Sequence, residues 1–159
     1  MLTGHHFQNA YICADIDAAI AECANRSDIA DVRPFAVEQQ LLTPQGMKTV
    51  ASKLAFVWLG DLQIELIEVV SDETGIYHNW KGKSESGGGP LHFHHSCTRV
   101  ADWDAFRARV DQQDLPVVLE RANDPSLKFL YLDARPFCGH YLEYTWMTDE
   151  RWVQLGGPK

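Results

Sequence analysis

Two stretches of the chain place ligand-type side chains at matching positions. Gln8 stands seven residues before Asp15 in Gln8-Asn-Ala-Tyr-Ile-Cys-Ala-Asp15, and His95 stands seven before Asp102 in His95-Ser-Cys-Thr-Arg-Val-Ala-Asp102. Each half then ends in an apolar stretch carrying a carboxylate: Glu65 in Leu62-Gln-Ile-Glu65-Leu-Ile and Glu143 in His140-Tyr-Leu-Glu143-Tyr. Side chains alternate faces along a strand. Leu62, Ile64 and Leu66 share one face, as do Leu142, Tyr144 and Trp146, and these faces suit packing against helices. Glu65 and Glu143 then point the other way, into the concave side of a sheet. A carboxylate there is costly unless it is paired or bound to a cation. Two carboxylates, an imidazole and an amide converging on one concavity offer oxygen and nitrogen donors to a divalent metal.

The elements that must position these residues repeat as well. Asp15 reads as a helix N-cap, with Asp17 in the first turn and Ile16, Ala19, Ile20 and Cys23 as an apolar stripe. Asp102, Asp104, Trp103, Phe106 and Val110 repeat that arrangement. Three strands follow each helix, predicted over Val32–Leu42, Val50–Leu59 and Leu62–Val70, and over Val117–Arg121, Leu127–Leu132 and Gly139–Met147. Each half therefore reads β-α-β-β-β. Residues 71–90 are polar and end Ser-Gly-Gly-Gly-Pro90, which is linker composition, although Tyr77, His78 and Trp80 argue for a short helix packed on the body. The expectation is one α+β domain, residues 1–159, built of modules 5–70 and 91–147. The tail after Trp152, Gly-Gly-Pro-Lys, is expected to be loose.

Composition narrows the partners. A formal net charge of −8 argues against nucleic acid and against an anionic membrane surface. No apolar run approaches the ~20 residues needed to span a bilayer. The start Met-Leu-Thr-Gly-His-His lacks the basic and apolar regions of a signal peptide. Cys13, Cys23, Cys97 and Cys138 form no Cys-x-x-Cys pair, so they read as reduced thiols in a cytoplasmic protein. The partner expected is a small molecule.

Simpler roles compete for several of these residues. His94 rivals His95, because a one-residue slip exchanges the faces; the repeat spacing favours His95. Glu65 and Glu143 could instead pair with Arg99 or Arg135, and Gln8 could merely hydrogen-bond within the concavity. His5 and His6 read as exposed terminal residues, and Glu68 as a strand-end surface residue. Cys97 and Arg99 share the face of His95; Cys97 is a pocket-lining candidate, and Arg99 either grips a substrate carboxylate or forms a salt bridge. Tyr141 shares the face of Glu143 and is the preferred pocket-lining aromatic, whereas Phe35, Trp58, Phe93 and Tyr131 read mostly as core.

With these pieces in order, the chain resembles the vicinal oxygen chelate superfamily, which includes glyoxalase I, methylmalonyl-CoA epimerase, extradiol dioxygenases and the fosfomycin and bleomycin resistance proteins. The resemblance spans about residues 5–147 and rests on Gln8…Asp15-Ile-Asp-Ala-Ala-Ile, Ile64-Glu-Leu-Ile-Glu68, His94-His-Ser-Cys-Thr-Arg-Val100 and Gly139-His-Tyr-Leu-Glu-Tyr144. It implies paired βαβββ modules forming a cupped half-barrel of mixed sheet with helices on the outer face. It implies metal ligands Gln8, Glu65, His95 and Glu143. Many members have His where Gln8 stands, but some glyoxalase I enzymes carry Gln, Glu, His and Glu in this order. That set implies a redox-inert divalent ion, zinc, nickel, cobalt or manganese, ahead of Fe(II). The extra carboxylate of epimerase-like members has no counterpart in Gln45-Gly-Met-Lys-Thr-Val50. The activity implied is that of a glyoxalase-like lyase or isomerase. It would abstract a proton next to a carbonyl and pass through an enediolate, with Glu143 as the preferred base and Glu65 the other choice. The alternatives are a non-catalytic small-molecule binding or resistance protein and a ring-cleaving Fe(II) dioxygenase. A homodimer is the expected assembly.

Overall fold

A computed structural model describes residues 2–29, 31–78 and 90–157. The elements run β1 (His5–Cys13), α1 (Ile16–Ala24), β2 (Phe35–Thr43), β3 (Gly46–Leu59), β4 (Leu62–Asp72), β5 (His92–Arg99), α2 (Trp103–Val110), β6 (Val117–Arg121), β7 (Leu127–Asp133), α3 (Arg135–Cys138), β8 (Tyr141–Met147) and α4 (Asp149–Gln154). Both expected caps form: Asp15 Oδ1 accepts from Ala18 N at 3.0 Å, and Asp102 Oδ1 accepts from Ala105 N at 2.9 Å. Glu68 does more than mark a strand end. It accepts from Ile16 N at 2.9 Å and pairs with Lys53 at 2.7 Å, tying α1 to β4.

The eight strands form one mixed sheet in the order β1-β4-β3-β2-β6-β7-β8-β5, and β5 returns to β1. The expected half-barrel is thus a closed barrel. The closure between β2 and β6 rests on the single pair Leu42–Glu120, whereas β2 and β3 pair from Phe35–Leu54 to Thr43–Gly46. The helices cover the outside. Ile16 and Ala19 of α1 pack on Ala55, Val57 and Leu66. Trp103, Phe106 and Val110 of α2 pack on Leu130, Leu132 and Tyr144. Each large apolar side chain so buried contributes about 1.5–3 kcal/mol. Among the described residues no helix is long and apolar enough to cross a membrane. All four cysteines are free.

Two expectations change here. In the tail expected to be loose, Gly156 and Gly157 close a helix, and Pro158 and Lys159 lie outside the described residues. Gly156 at φ +78° donates to Val153 O, and Gly157 donates to Trp152 O, a Schellman cap that a side chain at Gly156 would strain. Trp152 anchors this helix among Phe7, Cys97 and Met147. The short helix expected in the 71–90 segment is approached only by Ile76 and Tyr77, which bury against the barrel; Trp80 and the glycine run lie outside the described residues.

Candidate metal centre

Strand register explains why the polar side chains meet. On β1, Ala10 is opposite Glu65 of β4 on one side and His95 of β5 on the other. Ala10 is fully buried. Because it is small, Glu65 and His95 reach each other across an intervening strand. Glu143 arrives from β8, whose parallel pairing sets it beside Cys97, one inward position from His95. His95 Nε2 lies 2.9 Å from Glu143 Oε2 and 3.5 Å from Glu65 Oε2. The three ligand atoms all fall within 4.8 Å of one another, and all three residues are buried. Oxygen and nitrogen ligands about 2.0–2.2 Å from a small divalent cation stand roughly 3.0–3.4 Å apart. The two distances at His95, 2.9 and 3.5 Å, bracket that range within about 0.1 Å, and Glu65, His95 and Glu143 can hold such an ion.

A second histidine controls the first. Between the pairs Ala10–His95 and Tyr11–Phe93 the register shifts, leaving His94 as the extra residue of a β-bulge. The bulge turns two consecutive side chains inward: His94 and His95 are both buried. Alternation alone makes them rivals, whereas the structure uses both. His94 Nε2 is 3.1 Å from Ile76 O, and His94 Nδ1 is 2.9 Å from His95 Nδ1. The carbonyl can only accept, so the His94 proton sits on Nε2 and Nδ1 is bare. His95 must then donate from Nδ1, which directs its Nε2 at the two carboxylates. That atom either carries a proton between them or gives its lone pair to a cation.

The charges follow from burial and neighbours. Burial, joined by the charge of His95, pushes His94 down to about 3, so it stays neutral. Burial alone would also push His95 down. Its hydrogen bonds to Glu143 and Glu65, and their charges, overcome that and lift it to about 9. Burial raises Glu65 above the usual carboxylate range, against the opposing pull of His95. Burial likewise raises the Cys97 thiol and the Tyr131 phenol, so both stay protonated.

Glu65 and Glu143 open on a cavity of about 170 Å³ inside the barrel, with His95 buried behind them. Gln8, Glu65, Cys97, Tyr131 and Glu143 line it, with mostly apolar walls from β2, β3 and β7. Gln8 gives its amide N–H to Gln63 Oε1 at 2.7 Å, which leaves its carbonyl oxygen as the available donor atom. Two pocket expectations are corrected. Tyr141 does not line this cavity: it is buried under the Arg135 guanidinium, 4.7 Å from its ring. Tyr131 takes that place, its hydroxyl 3.3 Å from His95 Nε2 and accepting from Tyr77 Oη at 3.4 Å. Arg99 keeps the parity of His95 but lies four residues along, at the barrel end. It bonds Asp149 Oδ1 at 3.0 Å and Met147 O at 3.3 Å, and stacks on Trp152, away from the triad. Arg135 pairs with Asp133, so neither arginine neutralises Glu65 or Glu143. Strand alternation puts Gln63 on the face of Glu65; His94, Tyr77 and the pocket role of Tyr131 are what the sequence reading missed. The His94-His95 doublet was the one signal in the sequence for the bulge.

The same architecture occurs in solved structures. Methylmalonyl-CoA epimerase from Mycobacterium tuberculosis superposes with a TM-score of 0.65 at 18% identity, covering 96% of this chain and 93% of that one. A variant of the Streptomyces coelicolor methylmalonyl-CoA epimerase, in complex with 2-nitronate-propionyl-CoA, gives 0.66 at 18% identity and covers 94% and 97%. At such identity these likenesses establish the fold. No curated protein matches the sequence. The profile of the Glyoxalase/Bleomycin resistance protein/Dioxygenase superfamily matches residues 7–131, and with that match over most of its length the chain belongs to this superfamily.

Proposed function

We propose that the protein is a metal-dependent lyase or isomerase of the glyoxalase type, acting on a small oxygen-chelating substrate by removing a proton next to a carbonyl. The carrying observation is the convergence of Glu65, His95 and Glu143 within 4.8 Å at the wall of a cavity. On this reading the chain is two βαβββ modules, 5–70 and 91–147, each giving one carboxylate and one residue of the Gln8/His95 pair. The similarity to methylmalonyl-CoA epimerases, whose named reaction is an isomerisation, supports the same reaction class.

Glu65, His95 and Glu143, with the oxygen of Gln8, would hold the ion. A divalent ion there supplies Lewis acidity, which polarises a carbonyl and acidifies the adjacent C–H. The residues divide the remaining work. Glu65 is the better base, which reverses the preference drawn from the sequence. Burial makes it proton-hungry, and at 3.5 Å it is the more loosely held carboxylate. Glu143, the closer carboxylate at 2.9 Å from His95 Nε2, would stay as a ligand beside the imidazole, which His94 keeps oriented. Tyr131 accepts a hydrogen bond from Tyr77 and lies 3.3 Å from His95 Nε2; with that nitrogen turned to an ion, the Tyr131 O–H would donate to the oxygen on which enediolate charge develops. The apolar walls keep water from competing for that proton.

The test combines metal content with exchange chemistry. Protein purified without a His-tag is measured by elemental mass spectrometry as wild type and Glu143→Ala. Deuterium uptake from D₂O into the C–H next to the carbonyl of hydroxyketones and 2-oxo acids is then followed by NMR. Stoichiometric zinc, nickel, cobalt or manganese, lost in the variant, together with EDTA-sensitive exchange, supports the reading. Exchange that survives full metal removal sinks it, and stoichiometric iron moves the assignment to ring-cleaving oxygen chemistry.

A further inference from the structure

The cavity wall also carries a guanidinium that makes no ion pair among the described residues. Arg151 lines the cavity together with Leu155, one helical turn further on. Its Nε is buried, and among the described residues it is the one buried side-chain nitrogen or oxygen with no hydrogen-bond partner. The one side-chain hydrogen bond of the guanidinium runs from Nη1 to Gln154 Oε1 at 3.3 Å. Among the described residues the side-on edge formed by Nε and Nη2 has no acceptor. Among the described residues Arg151 makes no ion pair, whereas Arg121, the other arginine on the cavity wall, is paired with Asp124 at 2.7 Å. Buried donors are almost always satisfied, so an orphaned one calls for a group that the protein itself does not supply.

Arg151 is also held firmly. Thr148 caps the helix by accepting from Arg151 N at 3.2 Å. Trp58 Nε1 donates to Leu155 O at 2.8 Å, and Trp152 stacks edge-on against Phe7 and Trp58. At Gly156 a Cβ would come within 2.9 Å of Trp58 Nε1, so this turn is fitted closely to the barrel. The helix is a plug that delivers a guanidinium to a mostly apolar space.

We propose that Arg151 is the anion anchor of this cavity and that the ligand is a small organic acid, with vicinal oxygens toward Glu65, His95 and Glu143 and a carboxylate on the Nε–Nη2 edge of Arg151. The planar edge matches a carboxylate through two parallel N–H···O bonds. The vicinal-oxygen half of this statement rests on the metal-centre reading; the anchor half does not.

Paired probes separate the two. Oxaloacetate, 2-oxoglutarate and 2-oxoadipate are titrated calorimetrically against 2-oxobutyrate, 2-oxovalerate and 2-oxohexanoate, which match them in 2-oxo acid end and chain length but lack the second carboxylate. The full chain is used, zinc-loaded and EDTA-treated. At the best-fitting length the wild type is expected to bind the diacid about tenfold or more tightly than its monoacid, as a charge-assisted pair in a water-poor cavity allows. Arg151→Met should bring that ratio to about one while zinc content and monoacid affinity stay unchanged, the loss being that of the bidentate pair alone. Arg151→Lys, which keeps the charge without the edge, should retain about threefold, and it carries the test if the methionine variant does not fold. A diacid preference equal in wild type and variants, or absent at every length, overturns the anchor. An Arg151-dependent preference in a protein that binds no zinc supports the anchor and sinks the metal centre alone.

Discussion

Strands β1 and β5 each carry a polar side chain turned toward the barrel interior, Gln8 and His95, yet they support it in different ways. Gln8 on β1 is braced by a neutral amide, Gln63, in a strand whose neighbour is the small Ala10. His95 on β5 is braced by a second imidazole that a bulge pushes inward, and it sits between two carboxylates. One strand therefore supplies an uncharged donor, and the other supplies the charged pivot of the site. Both first strands carry an extra residue just before the polar one, Phe7 before Gln8 and His94 before His95, so the chemical roles separate through the side chain that each irregularity buries, an apolar ring in one and an imidazole in the other.

The comparison breaks most sharply at the pivot. His95→Ala should lower zinc affinity by about three orders of magnitude, since a binding energy near 10 kcal/mol is shared among a few ligands; competition with a fluorescent chelator reads this out. Ala10→Leu should come next, because a large side chain at Ala10 separates Glu65 from His95. A loss of about a hundredfold is expected, as for a ligand displaced by its own neighbour, with a melting temperature lowered by the overpacked wall. His94→Ala leaves all ligands in place but frees the ring of His95, and should cost ~10–100-fold. Gln8→Ala should cost less than about tenfold, because a neutral amide oxygen is the weakest donor of the set. An equal loss at Gln8 and His95 would remove the asymmetry argued above.

Acidity sharpens the same contrast. A group raised in the folded state gives stability that is present below its ordinary value and lost as pH rises through the folded one. His95 moves from 6.5 to about 9, so its contribution fades between those values, and the raised Glu65 acts in the same sense. A depressed group works in reverse: His94, lowered to about 3, loses stability as pH falls from 6.5 toward 3. The melting temperature of EDTA-treated protein should peak near neutrality and fall on both sides. Zinc should bind more tightly as pH rises toward 9, with release of about one proton per ion. A flat profile for zinc affinity would show that His95 is not the proton's competitor.

Much of this was legible in the sequence. The Asp15 and Asp102 caps and the alternation of strand faces are local rules, and they brought Glu65, His95 and Glu143 to one side of one sheet. What the rules missed depends on long-range geometry. A bulge is a relation between two strands, so alternation could only treat His94 and His95 as competitors. Tyr131 and Tyr141 each satisfy the parity rule on neighbouring strands, and only the position of Arg135 decides which one is covered. Barrel closure is set by how far the sheet curls. The tail was misread because its Gly-Gly pair signals a loop by composition, whereas here it terminates a helix whose anchor, Trp152, lies just upstream.

The seam between β2 and β6 gives the molecule a kinetic side. A ring of strands with one link made by a single residue pair, Leu42–Glu120, has a preferred place to part. Val37, Gln39 and Leu41 of β2 form one wall of the cavity, so parting there exposes the interior without disturbing the pairs that hold the triad. Amide hydrogens at the seam should exchange with solvent faster than those of β1 and β5.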